Sequence, residues 1–228
     1  MAIYKNTPPI VTNGLVLALD AANPKSYVSG STNWFSLGNP SLSGSLVNGP
    51  TFSNANGGSI VFDGVNDYVV INNLATNGNT NMSLSIWCNH LTNQTGDVVS
   101  IIYGLPGTSY ACAGLYYRNS SNYVRFTTWQ STPGDYDTAF VKDFNIWHNY
   151  TIVYSNSTIL IYRDGIPDAN GVKNKTISFT QDRLMIGGTI SNGVYSNIVT
   201  GLSLMYNRAL SAQEVLQNYN ATKGRFGL

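Results

Sequence analysis

Apolar and polar residues alternate along most of this chain in short runs. In the first half, Leu15–Leu19, Ser59–Phe62, Tyr68–Ile71, Ser83–Leu91, Val98–Tyr103 and Cys112–Arg118 read as strands. In the second half, Tyr123–Trp129, His148–Tyr154, Thr158–Arg163, Thr176–Phe179, Arg183–Ile186 and Leu202–Tyr206 do the same. Clusters of Gly, Asn, Pro and Asp separate the runs. Many short strands at such spacing predict an antiparallel sandwich or barrel. No period of 20–50 residues repeats, and no linker or charge run divides the chain, so the pattern predicts one domain.

The pattern fixes one hairpin in detail. If the turn at "NSSN" joins Cys112–Arg118 to Tyr123–Trp129 with Arg118 facing Tyr123, then Ala113, Leu115 and Tyr117 fall opposite Thr128, Phe126 and Val124. That face is apolar and predicts the core side. The other face carries Gly114, Tyr116 and Arg118 against Thr127, Arg125 and Tyr123, with Trp129 at its end. The hairpin Tyr150–Arg163 places Ile152, Val153, Ile159, Leu160 and Ile161 on both faces, as in central strands covered on both sides. The one strong helix signal is "LSAQEVLQNYNA". Ser211 is a good N-cap, Glu214 completes a capping box, and Val215, Leu216 and Tyr219 form an apolar stripe.

Composition narrows the function classes. The chain of 228 residues has only 12 basic and 11 acidic residues, for a net charge of +1. Asn, Ser, Thr and Gly supply its polarity instead, together 93 residues. This mixture suits turns and strand faces and disfavours a helical bundle. It also lacks the cationic excess of a nucleic-acid binder. No apolar run reaches the roughly 18 residues of a membrane span, so no membrane insertion is expected. The start "MAIYKNTPPIV" lacks a basic head and apolar run, and Cys88 and Cys112 sit in strand-like runs as buried free thiols. Synthesis in a reducing cytoplasm fits both features.

The ordered segments "SIVFDGVNDYVVI", "MSLSIWCNHL", "WHNYTIVYSNSTILIYRDG", "LMIGG" and "LMYNRALSAQEVLQNYNA" resemble the laminin-G-like branch of the concanavalin A-like lectin/glucanase superfamily. The opening "NGLVLALDAANPKSY" is similar to laminin-G-like proteins in tailed-bacteriophage virions. The resemblance implies an all-β, two-sheet antiparallel jelly-roll sandwich with adjacent first and last strands and one short C-terminal helix. It spans residues 14–222, leaving an extended arm at 1–13 and a tail at 223–228 as candidate docking arms. It also implies a non-enzymatic structural protein of the virion surface, made in the host cytoplasm. The expected role is head decoration through protein–protein contacts with capsid or fibre proteins, as a homo-oligomer. The alternative is a glycan-binding adhesin module of a tail or fibre.

The chemistry expected from the sequence is correspondingly sparse. Retaining glucanases of the superfamily use two Glu carboxylates. This chain has one Glu, Glu214, which the capping box employs, and the segment of Asp135 and Asp137 reads as a polar loop after Pro133-Gly134. No catalytic residue is therefore assigned. Cys88 and His90 share a strand face with Leu84 and Ile86 and read as an inward stripe. Tyr116, Arg118, Tyr123, Arg125 and Trp129 on the outward hairpin face are the candidate binding residues, for a sugar or a partner protein. Asp63, Asn66 and Asp67 are weak calcium candidates, since a turn explains them equally well; no other cofactor is expected.

Overall fold

A computed structural model describes residues 8–75, 79–91, 96, 98–103, 113–117, 121–127, 135–174, 182–190 and 193–228. The strands, in chain order, begin with β1 (Leu15–Asp20), β2 (Asn33–Phe35), β3 (Ser43–Val47), β4 (Thr51–Ser53), β5 (Ser59–Val61) and β6 (Tyr68–Ile71). Next come β7 (Asn81–His90), β8 (Val98–Tyr103), β9 (Ala113–Tyr117), β10 (Tyr123–Thr127), β11 (Asp135–Val141), β12 (Trp147–Ser155) and β13 (Thr158–Arg163). The series closes with β14 (Ile166–Pro167), β15 (Lys173–Asn174), β16 (Leu184–Ile186), β17 (Gly188–Thr189), β18 (Val194–Tyr195) and β19 (Ile198–Tyr206). Helix α1 (Ala212–Thr222) follows, and a 3₁₀ turn over Lys223–Phe226 continues it.

Two antiparallel sheets face each other. Sheet A runs β14-β13-β12-β7-β19-β5-β4, with β1 beside β19 and β15 beside β13; sheet B runs β11-β10-β9-β8-β16-β6-β3-β2. The first and last strands, β1 and β19, pair directly, as a jelly roll requires. Between the sheets lies one core, built by Leu17, Leu84, Ile86, Ile152 and Ile161 from sheet A and by Trp34, Val69, Leu115, Val124 and Phe126 from sheet B. Alternation explains this division, since inward and outward side chains succeed each other at every step. A bulge between Thr200 and Leu202 interrupts it in β19. The extra residue is Gly201. It turns Leu202, Leu204 and Tyr206 outward while Ile198 and Met205 stay inside.

Sheet A is covered on its outer face as well. There α1 and the C-terminal turn bury Trp87, Val153, Tyr162, Leu204 and Tyr206 with Val215 and Phe226. This confirms the two-sided burial read from Tyr150–Arg163. Ser211 and Glu214 form the expected capping box, and Arg208 grips the Glu214 carboxylate with two hydrogen bonds of 2.7 and 2.9 Å. These contacts hold the Glu214 carboxyl down at about 2, the Arg208 fork contributing most and the Ser211 amide next. Leu216, expected in the docking stripe, is instead 45% exposed, and Val215 does the packing.

The two termini correct another expectation. The tail is not a free arm. Phe226 stacks on Trp87 at 4.2 Å between ring centroids and leans on Trp147 at 4.7 Å. Beside it Arg225 donates to the carbonyls of Asn56, Gly58 and Gly201 and to Asp20. A side chain at Gly201 would sit 2.8 Å from the Phe226 ring, so only glycine admits this close approach. The leader is docked too at Pro9 and Val11, whose carbonyls accept from Gln217 and Tyr206.

Most strands fall where the alternation puts them, with Tyr68–Ile71, Val98–Tyr103 and Thr158–Arg163 matching to the residue. The 112–129 hairpin has the expected register, Leu115 opposite Phe126 and Tyr117 opposite Val124. The strand expected at 176–179 lies outside the described residues. Strands β2, β3 and β4 were not anticipated, because they are short and rich in Ser, Gly and Asn. Strand β11 replaces the expected polar loop. Thr138 and Phe140 point inward, and Arg125 on β10 compensates Asp137 directly across the ladder.

Truncating Phe226 to Ala should therefore cost about 3–5 kcal/mol, the range for deleting a buried aromatic ring. Urea unfolding followed by tryptophan fluorescence measures this. A loss under 1 kcal/mol would mean that the tail is not part of the packed body.

Candidate functional site

Two polar constellations stand out. The first lies on β10 and β11, at the edge of sheet B. Val124 and Phe126 point into the core, so Tyr123 and Arg125 point out. Tyr123 is 43% exposed, and Val141 opposite it across the ladder is exposed as well. Arg125 meets Asp137 in a fork, Nε to Oδ1 at 2.5 Å and Nη2 to Oδ2 at 2.9 Å. Asp137, with Tyr116 in addition, holds the guanidinium firmly protonated. Ser121 donates to Asp137 at 3.3 Å, and the Asn170 amide caps the Asp137 carbonyl. The loop of Asp168 and Asn170 thus lies along the free edge of β11, where Asp168 also accepts from the Ala139 amide. The result is a flat patch with one open aromatic ring beside a rigid, charge-compensated fork.

Of the residues expected on the outward face, the structure leaves some outward and buries one. Tyr123 and Arg125 share the outward side, as the hairpin register demands. Tyr116, expected to be exposed, is 4% exposed, packed with Met185 against Tyr68, Val70 and Val194. The reason is that β17 and β18 fold over this part of sheet B, with Tyr195 stacked on Tyr68. Arg118 and Trp129 lie outside the described residues. Asp137, Ser121 and Asn170 were missed; the signal that could have found them was the alternation of Tyr136, Thr138 and Phe140, which marks β11 and turns Asp137 outward.

The calcium candidates are engaged in a turn. Asp63 Oδ1 accepts from the amides of Val65 and Asn66, and Asp67 Oδ2 accepts from that of Asp63. Burial raises the Asp67 carboxyl above its ordinary value, although the Asp63 amide works against this. Among the described residues, no group of three or more His, Cys, Asp or Glu stands close enough to hold a metal ion.

The second constellation closes one end of the sandwich. His148 on β12 lies between two carboxylates, Asp164 at 2.5 Å from Nδ1 and Asp143 at 3.0 Å from Nε2. Arg163 supports Asp143 at 3.4 Å. Asp164 and Gly165, both at positive φ, form the tight turn between β13 and β14 that brings this carboxylate back over β12. Burial lowers the His148 pKa, but the two carboxylates outweigh it and lift the group to about 9. Burial likewise raises Asp143, yet His148 and Arg163 pull it below the usual carboxylate value. Behind this clasp, the Tyr117 and Tyr150 hydroxyls meet at 2.9 Å, and His90 stacks on Tyr117 and bonds Ser100 at 2.8 Å. Burial pushes His90 down to about 3 and the Cys88 thiol up to about 12. Both are therefore neutral core groups, as the inward-stripe reading expected; Cys112 lies outside the described residues.

Residues 63–216 match a laminin G family model described as the concanavalin A-like lectin/glucanases superfamily. The match covers more than half of the chain, and the chain belongs to this superfamily. A search of curated proteins found no significant match. Among solved structures the fold is similar to Trypanosoma rangeli sialidase in complex with sialic acid. The TM-score is 0.75 and the identity 17%, over 95% of this chain and 34% of that one. It is also similar to the botulinum neurotoxin serotype D binding domain, with a TM-score of 0.67 and 12% identity, over 90% of this chain and 51% of that one. The chain thus spans about a third to a half of these structures, and at such identities the likeness shows the fold. The expected head-decoration role is overturned here. These structures are a sialidase and a toxin's binding domain, and the family match carries the superfamily without the bacteriophage context.

The clasp gives a pH signature. His148 titrates near 6.5 when unfolded and about 9 when folded, so its stabilisation is complete below about pH 6.5 and is lost as the pH rises through 9. Asp143 is shifted the other way, and its contribution is lost as the pH falls through the carboxylate range. The unfolding midpoint should decline between pH 6.5 and 9, and His148→Gln should flatten that limb. Parallel pH profiles for the two proteins would show that no charge is held there.

Proposed function

We propose that this chain is a glycan-binding module of the lectin type, without catalytic turnover. The observation that carries the reading is the patch on β10 and β11. Tyr123 presents an open ring beside the Arg125–Asp137 fork, with Asn170 and Ser121 at its border. A sugar needs an apolar surface for its C–H face and directional polar groups for its hydroxyls. Here β-strand pairing holds these groups in place before any ligand arrives, which limits the ordering cost on binding. The superfamily supports the reading, and so do the sialidase bound to sialic acid and the toxin binding domain as neighbours in fold.

Catalysis is not favoured because eight carboxylates among the described residues are already employed. Most retaining glycosidases use one carboxylate as nucleophile and one as acid, and sialidases replace the nucleophile by a tyrosine. Glu214 is held by Arg208 and the helix cap, Asp137 by Arg125, Asp20 by Arg225, and Asp143 and Asp164 by His148. Asp63, Asp67 and Asp168 accept from backbone amides. The spatial arrangement is that of braces rather than of an acid–nucleophile pair.

The test is a glycan array with the native protein and with Tyr123→Ala. The native chain should retain a defined glycan class, and the variant should lose at least tenfold in affinity with its unfolding midpoint unchanged. Unchanged affinity of the variant for every retained glycan would remove the β10–β11 patch from the function. Steady release of reducing sugar from a retained glycan would refute the non-catalytic part.

A further inference from the structure

A second site lies elsewhere, in a cavity of about 490 Å³ at the mouth of the sandwich. Its size is in the range of small-molecule sites, roughly 300–1,000 Å³. Four separate segments meet there: the start of β1, the β2–β3 connection, the chain after β6 and the residue following β19. The floor is apolar, made by Val16, Leu42 and Leu74, of which Leu42 and Leu74 belong to the buried core. The rim carries four asparagines, Asn39, Asn73, Asn79 and Asn207, and none of the described lining residues is charged.

Elementary chemistry selects the ligand. Each asparagine amide offers a carbonyl acceptor and two N–H donors, the complement of a hydroxyl that both donates and accepts. The Asn39 side-chain oxygen already accepts from the Ser41 amide at 3.2 Å, which fixes the group and leaves its N–H donors for a ligand. Asn73 is held in the left-handed region at φ 60, and the next amide, of Leu74, is pinned to the Asp182 carbonyl. A ligand carrying a carboxylate or an amine would find no counter-charge among the described lining residues, and an ion left unpaired out of water is costly. Of the guanidinium groups near these segments, Arg208 is committed to Glu214 and to the Asn13 carbonyl, and Arg183 donates to the Asn72 side chain.

We propose that this asparagine-rimmed cavity is a second carbohydrate site, selective for a neutral hexose or a short neutral glycan. Its floor takes the C–H face of the sugar ring and its amides take the hydroxyls. The site is independent of the β10–β11 patch, which has its own aromatic ring and charged fork.

Gly38 supplies a clean test. It lines the cavity, has an ordinary φ, and a side chain added there meets nothing within 4 Å. Gly38→Trp should therefore crowd the rim of the site without straining the backbone. The probes are the methyl glycosides of glucose, galactose, mannose and N-acetylglucosamine, with N-acetylneuraminic acid as the charged comparison, titrated by ¹⁵N NMR. At least one neutral glycoside should shift the signals of Asn39, Asn73, Asn79 and Asn207, and N-acetylneuraminic acid should not. Gly38→Trp should weaken that binding at least tenfold, and Asn39→Ala, at an exposed position, should weaken it severalfold in a folded protein. Tyr123→Ala should leave it intact. No shift at these four residues with any neutral glycoside overturns the proposal, and so does binding that survives Gly38→Trp or is lost in Tyr123→Ala. Shifts confined to the cavity would uphold this site while the β10–β11 reading failed, and shifts confined to Tyr123 and Arg125 would do the reverse.

Discussion

The whole architecture depends on keeping both faces of sheet A away from water. Its central strands β7, β12 and β19 are buried on either side, so facing sheet B satisfies only half of the requirement. The other half is met by α1 and by Phe226 held against Trp87 and Trp147. Apolar burial of this kind is the dominant favourable term in folding. It also dictates where specific polar contacts are needed: the Arg225 fork fixes the turn that carries Phe226, and the Arg208–Glu214 pair with its cap fixes the start of the helix. With sheet A occupied on both sides, surface for recognition is left on sheet B and at the ends of the sandwich. Even on sheet B, β17 and β18 cover the middle, so the open part is its β10–β11 margin.

The legible part of this fold was the part encoded locally. Strict alternation gave the β9–β10 register, because Tyr117 and Val124 can share a face only in one pairing. The Ser211–Glu214 spacing gave the helix start for the same reason. What escaped was decided by distant partners. Strand β11 carries two aspartates after Pro-Gly and looks like a loop until Arg125 stands beside Asp137. The tail looks like an arm until Trp87 and Trp147 are brought together from positions 60 residues apart. Tyr116 belongs to the outward face by periodicity, and only the later strands β17 and β18 bury it.

The candidate sites follow the same division. Two residues of the patch, Tyr123 and Arg125, were visible from one hairpin. The His148 clasp was not, because its carboxylates come from two different loops and converge only once β12 and β13 are paired. The asparagine cavity was the least visible. Asn is the chain's commonest polar residue, and four of 28 become a group only through the jelly-roll closure that sets β1 against β19.

The bidentate closure of Arg125 on Asp137 has a consequence for the medium in which the protein works. Opposite charges that answer each other at 2.5 Å cast little field into solution, and a chain with a net charge of +1 adds little more. Counter-ions then have almost nothing to screen. If the proposed attachment uses this surface, shape and short-range contact govern it, and its strength should hold from dilute buffer to brine.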